Sequence, residues 1–111
     1  MLTGVLPSMK ITKEETFGRV LAVRPFDTES EAIELADSTP YGLVAYAFTR
    51  DLSRSWRLIE KIEAGSVAIN TTSVVAPGLA LGGFKMSGLG RENGQEGFAE
   101  HLETKSAVFR I

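Results

Sequence analysis

The sequence predicts an α/β fold, three-layer-like and built on a mostly parallel sheet. Three observations carry this. Apolar, β-branched runs alternate with segments of helical period. The helical segments open on side chains able to cap them. Residues 43–49, Leu-Val-Ala-Tyr-Ala-Phe-Thr, are apolar on both faces, as a central strand covered on each side would be.

The first strand is expected at residues 20–26, where Pro25 marks an edge or an end because it cannot donate to a ladder. Thr28-Glu29-Ser30-Glu31 fits a capping box, with Thr28 as N-cap and Glu31 reaching back. The helix it opens runs to about Ala36 on Ala32, Ile33, Leu35 and Ala36. Residues 37–42 are turn chemistry around Pro40 and Gly42. The strand at 43–49 follows, and then Asp51 caps a helix with Leu52, Trp56, Ile59 and Ile62 on one stripe. Trp56 on that stripe reads as core. Gly65 is placed to end this helix in a left-handed conformation. A third strand is expected at 66–70. Residues 71–91 show no period, and a loop this long is usually functional or unusually well packed. Asn93 to Glu96 opens a last helix through Phe98, Ala99 and Leu102, and 104–111 closes as a strand. Nothing divides the chain, so 1–111 reads as one unit.

With 111 residues, one core is feasible. A net charge of −2 leaves no basic excess to neutralise phosphates, which excludes a general nucleic-acid binder and a polybasic membrane anchor. No apolar stretch is uninterrupted enough to span a bilayer. The N-terminus has no charged region ahead of an apolar one, so no secretory signal is read and the cytoplasm is the expected location. The absence of cysteine removes disulfides, thiolate metal sites and a thiol nucleophile from these residues.

The residues at hand do not assemble a known catalytic constellation. Gly88-Leu89-Gly90 begins like a dinucleotide fingerprint, but the next glycine, Gly94, comes one position late and no strand precedes the run. Lys85 is followed by Met86 and is not directly preceded by glycine, so the run is not a phosphate-binding P-loop. Its glycines instead permit positive φ and close backbone approach. Glu14 and Glu15 read as solvated surface, and a functional role would need a ligand offering two hydroxyls to a carboxylate. His101, the one histidine, has no partner at metal-ligand spacing. Ser66, Ser73 and Ser87 lie outside any nucleophile elbow.

Taken in order, several short motifs resemble the aldehyde dehydrogenase superfamily over essentially the whole chain. They are Leu2-Thr3-Gly4-Val5, Glu14-Glu15-Thr16-Phe17-Gly18, Thr39-Pro40-Tyr41-Gly42-Leu43 and Phe48-Thr49-Arg50-Asp51. The long run Gly82-Gly83-Phe84-Lys85-Met86-Ser87-Gly88-Leu89-Gly90-Arg91-Glu92-Asn93-Gly94 and the closing Glu103-Thr104-Lys105 complete the series. Each is weak alone; their order and spacing are specific. The resemblance implies the C-terminal part of the catalytic domain. Glu15 would grip the nicotinamide ribose hydroxyls of NAD or NADP, and Phe17 would pack beside the nicotinamide. Ser73, Val75 and Leu81 would line the aldehyde entrance, the glycine run would be a structural turn beneath it, and 104–111 would be a terminal strand used in homo-oligomer assembly.

In the family reaction a cysteine thiolate attacks the aldehyde, hydride passes to NAD or NADP, and glutamate-activated water releases the acid. The cysteine, that glutamate and the Rossmann domain lie upstream of the matched motifs, so Glu15 is not the general base. The resemblance therefore implies a fragment that is inactive alone and binds no cofactor tightly. Met1 maps inside a structural region, which implies truncation. The alternative is a stand-alone assembly module that oligomerises or pairs with a chain carrying the nucleophile. Two departures touch binding surfaces: Arg19 replaces the proline usual after Phe-Gly, and Ala80-Leu81 replace Pro-Phe before Gly-Gly. Residues 71–84 carry no arginine or lysine, which favours an uncharged aldehyde over one bearing a carboxylate.

Overall fold

The structure, a computed structural model, describes all 111 residues. After a 3-10 turn at Lys10–Thr12, the elements are α1 (Glu29–Asp37), β1 (Tyr41–Gly42), β2 (Val44–Ala47), α2 (Leu52–Lys61), β3 (Ser66–Ile69), β4 (Phe84–Lys85) and α3 (Gly94–Ala99). The α/β class holds, but the mostly parallel sheet does not. There are two two-stranded sheets, β2 with β3 in parallel and β1 with β4 antiparallel.

The parallel pair is the connection the strand–helix–strand order requires, since parallel neighbours need a crossover and α2 supplies it. Val44 faces Ser66 and Ala47 faces Ile69. Asn70 then prolongs the pairing with its side chain. Its Oδ1 accepts from the Thr49 amide at 2.9 Å and its Nδ2 donates to the Thr49 carbonyl at 2.7 Å. The antiparallel pair lies in segments read from sequence as turn and loop, because two-residue strands carry no period to detect.

Two of the three expected helix caps are met in detail. The Glu31 amide donates to Thr28 Oγ1 at 3.1 Å, while the Glu31 carboxylate reaches back to the Asp27 amide at 2.8 Å. Asp51 Oδ1 accepts from the Arg54 amide at 3.0 Å. Asn93 precedes α3 but makes no side-chain cap.

Four expectations are corrected. Residues 20–26 form no strand; one bridge joins Ala22 to Leu2, and Leu21 and Phe26 are exposed. Residues 104–111 form no strand either, because no neighbouring edge offers them hydrogen bonds in this chain. Trp56 is not core. The sheet beneath α2 has only two strands and covers one side of the helix's broad apolar arc. Ser55 and Leu58 are therefore buried, while Leu52, Trp56 and Ile59 face solvent, Trp56 at 60 % exposure. Gly65 does not end α2 in a left-handed conformation, since its φ is not positive. It is glycine because a β-carbon there would collide with the Gly82 carbonyl.

That collision locates the centre of the molecule. Only seven residues are buried, and three of them are Gly42, Gly83 and Gly97, so the best-covered region is backbone against backbone. A β-carbon on Gly42 would meet the Glu63 carbonyl, and one on Gly83 would meet Ser87. The Gly65 amide donates to the Gly42 carbonyl at 3.0 Å, which joins the two sheets at this seam.

Away from the seam the chain is open. Its radius of gyration is 18.5 Å, against about 13 Å for a compact chain of this length. Its accessible surface is 9203 Å², against about 6,000 Å² for a compact monomer of this mass. The surplus is of the size that obligate interfaces bury. Leu2, Leu6, Phe17, Phe48, Trp56, Phe98 and Phe109 are among the apolar side chains it exposes.

An ion-pair cluster fastens α1 to α2. Arg57 donates to Glu29 through Nε at 2.6 Å and Nη2 at 2.8 Å, and Arg54 Nε adds a bond at 3.0 Å. The Arg57 hydrogen bonds hold the Glu29 carboxyl at about 2, down from 4.5, against the opposing effect of desolvation and with help from Arg54. The same contact raises the Arg57 pKa.

Three outcomes follow from this geometry. Gly65→Ala should destabilise the chain by about 1–3 kcal/mol, the usual cost of forcing atoms into a filled space, read by urea denaturation. Glu29 has a folded pKa below its unfolded one, so its contribution is complete above pH 4.5 and is lost as pH falls toward 2. Acid titration of stability should therefore be shallower over that window in Glu29→Gln than in the parent. The surplus apolar surface should produce concentration-dependent self-association, visible by light scattering together with binding of a hydrophobic dye. A monodisperse monomer that binds no dye contradicts it.

Candidate functional site

Glu15 stands in the stretch after the 3-10 turn, where Lys10–Thr12 closes on its own backbone and the Thr12 hydroxyl donates to the Met9 carbonyl at 2.7 Å. The two adjacent glutamates then part company. Glu14 turns to Lys10, 3.8 Å away on an exposed surface. Glu15 lines a cleft of about 460 Å³ whose other walls are the end of α1, strand β1, the residues after α2, and Met86 with Ser87. Tyr41, Leu43, Ile62 and Met86 make the cleft partly apolar, and Asp37, Glu63 and Ser87 give it polar edges. Glu15 makes no hydrogen bond or ion pair within the chain, so both carboxylate oxygens are open to a ligand.

Phe17 is 95 % exposed and packs against nothing in this chain. Its ring is free to cover a flat group presented from outside. Ser73 and Val75 come together on an exposed loop, where Ser73 Oγ meets the Val75 carbonyl at 3.4 Å. Leu81 is held elsewhere. It exchanges both backbone hydrogen bonds with Glu92 at 2.7 Å and lines a separate hollow under the glycine run with Gly82, Gly83 and Arg91. The expected entrance wall of Ser73, Val75 and Leu81 is therefore not one surface within this chain.

The wall facing Glu15 depends on residues to which the sequence assigns no such role. Lys85 Nζ donates to the Asp37 carbonyl at 3.0 Å and the Thr39 carbonyl at 3.4 Å, and pairs with Glu63 at 3.0 Å. The Glu63 amide donates to Asp37 Oδ1 at 2.9 Å. Ser87 Oγ accepts from the Gly42 amide at 3.0 Å. Arg91 reaches the Gly83 and Gly90 carbonyls and lies 5.4 Å from the centre of the Phe84 ring. These partners are far apart in sequence and share no spacing, so no local pattern announces them. Within the glycine run, a β-carbon on Gly82 would meet the Gly90 carbonyl and one on Gly83 would meet Ser87, so these glycines serve close backbone approach.

Residues 1–107 match the aldehyde dehydrogenase family. The chain belongs to that family. It is 44 % identical over 105 residues to aspartate-semialdehyde dehydrogenase (non-phosphorylating) of Halomonas elongata, covering 95 % of this chain and 21 % of that protein. It is 43 % identical over 106 residues to betaine aldehyde dehydrogenase 2 of Rhizobium meliloti, covering 96 % and 22 %. Among solved structures, betaine aldehyde dehydrogenase from Staphylococcus aureus in complex with NAD+ superposes with a TM-score of 0.89 at 42 % identity, over 93 % of this chain and 20 % of that one. The chain thus spans about a fifth of the length of the relatives it matches.

No helix is long and apolar enough to cross a membrane, and no cluster of three or more His, Cys, Asp or Glu side chains could hold a metal ion.

Proposed function

We propose that this chain is the C-terminal part of the catalytic domain of an NAD(P)-dependent aldehyde dehydrogenase, and that it supplies the far wall of the cofactor and substrate sites. The observation that carries the reading is Glu15: an unpaired carboxylate lining a cleft, two residues before a bare aromatic ring, in a chain of this family. A carboxylate with both oxygens free matches a ribose diol, and a free aromatic face matches a flat heteroaromatic ring. NAD or NADP, when bound, supplies the oxidant. Glu15 accepts from the ribose hydroxyls and so fixes the cofactor's reactive end; Phe17 covers that end and excludes water.

Ser73 and Val75 form one exposed patch of the aldehyde entrance, and Leu81, paired with Glu92, contributes to the entrance from a separate surface. The patch carries no charge, which suits an uncharged aldehyde. Residues 104–111 have no partner in this chain and serve as an assembly strand for another subunit of a homo-oligomer.

The 111-residue chain alone should produce no NADH from aldehyde and NAD, since it contains no cysteine to act as the nucleophile. Residues 1–107 should function when they replace the matching segment of the Rhizobium meliloti betaine aldehyde dehydrogenase 2. In that chimera Glu15→Ala should raise KM for NAD by about tenfold, as expected for losing charged hydrogen bonds worth about 1.5–3 kcal/mol. A folded chimera without NADH production, or a Glu15→Ala chimera with unchanged KM, overturns the reading.

A further inference from the structure

Three residues other than glycine have a left-handed backbone: Asn70, Asn93 and Lys85, the last with φ of 52°. Asparagine enters that region readily, because its short side chain can bond locally. Lysine has no such help and is strained there. Lys85 is the first central residue of a tight turn closed by the Ser87 amide on the Phe84 carbonyl at 3.0 Å. Met86, the second, does not have positive φ. This is the turn class in which glycine is favoured at the first central position. A glycine-rich segment has therefore placed lysine where local preference asks for glycine.

The side chain explains the choice. An ammonium has three N–H donors, and Lys85 Nζ has three acceptors: the Asp37 carbonyl, the Thr39 carbonyl and the Glu63 carboxylate. Asp37 ends α1, so the cation also meets the negative end of that helix. The Lys85 side chain is 22 % exposed, and its charge is directed into the fold. All three acceptor residues line the cleft with Glu15, as do Met86 and Ser87, which follow Lys85 in the turn. The Met86 amide donates to the Pro40 carbonyl at 3.0 Å, and the Gly42 amide donates to Ser87 Oγ. One ammonium thus ties the turn to α1, to the segment after α2 and to β1.

We infer that Lys85 is a positioning residue for the Glu15 cleft: its ammonium holds the turn at 84–87 against residues 37–42 and so sets the shape of the wall opposite the carboxylate. The inference rests on the reading of that cleft as the place where the cofactor's ribose end is held. Lys85 does not line the cleft and acts through the residues it ties.

Two measurements test it. The first is amide hydrogen exchange on the 111-residue chain. Lys85→Met should speed exchange at Gly42, Met86 and Ser87 by about tenfold while leaving Asn70, bonded across the β2–β3 pair, unchanged. Lys85→Gly removes the ties and relieves the backbone strain, and it should loosen the same three amides. If Lys85→Gly protects them as well as lysine does, the backbone alone holds the turn and the inference fails. Glu63→Gln, a milder change, should produce about a threefold effect at the same amides. Exchange that is unchanged in Lys85→Met, or raised equally at Asn70 in both Lys85→Met and Glu63→Gln, also overturns it.

The second uses the chimera and equilibrium binding of NAD by fluorescence. Lys85→Met should weaken NAD binding and raise KM for NAD by about tenfold, with kcat at saturating NAD within about twofold and KM for aldehyde unchanged. Loss of kcat with both KM values unchanged contradicts a positioning role. A parent chimera that binds no NAD defeats the functional reading instead, and the exchange data still decide whether Lys85 holds the turn.

Discussion

The structure depends on the close approach of two backbones, where Gly65 meets the carbonyl of Gly82 with no room for a β-carbon. The β1–β4 pair, the β2–β3 pair and the residues after α2 converge there, joined by the Gly65 bond to Gly42. Side-chain packing contributes little at this point. Val5, Leu58 and Ala68 are the buried apolar residues, and they are too few to form a conventional core. A seam made of backbone gains hydrogen bonds and dispersion contacts but little hydrophobic burial. It is therefore intolerant of added atoms and unable to stabilise the surrounding chain strongly by itself.

This constraint accounts for the division between what could be read in the sequence and what could not. Local chemistry was legible. Thr28 with Glu31 and Asp51 with Arg54 cap their helices as the residue types and spacing require, because a cap involves neighbours three or four apart. The strands around Val44–Ala47 and Ser66–Ile69 were legible because apolar runs bounded by turn residues locate themselves. Strands β1 and β4 were not, since each is two residues long and exists only because the other does. At Gly65 the helix end suggests a glycine chosen for φ, but its distance from Gly82 decides.

Trp56 shows a different limit. Spacing on a helix tells which residues share a face, and it does not say whether anything covers that face. Here a two-stranded sheet covers Ser55 and Leu58 and leaves Leu52, Trp56 and Ile59 in solvent. The same incompleteness appears at residues 20–26 and 104–111, which have the composition of strands and find no ladder. Beyond the single bridge from Ala22 to Leu2, no edge within this chain pairs with them. Apolar periodicity gives the face a segment offers and not what covers it, so it overstates what is buried in this chain. The candidate site was less legible. Glu15 by itself reads as solvated surface, its role comes only from the family resemblance, and its cleft is walled by segments far apart in sequence; Ser73, Val75 and Leu81 are not drawn into one surface by these residues alone.

Lys85 carries the last step. Asn70 occupies the left-handed region with its amide bonded to both sides of Thr49, so its backbone and side chain favour the same conformation. At Lys85 the two are opposed: the backbone favours glycine and the ammonium favours three oxygens in three different segments. Where local preference and tertiary contact conflict, the contact must supply more than the strain removes. A glycine at 85 would make the easier turn but would leave the end of α1, the segment after α2 and the cleft wall without a common tie. The glycines around it allow the backbones to meet, and the single lysine among them determines how they meet beside Glu15.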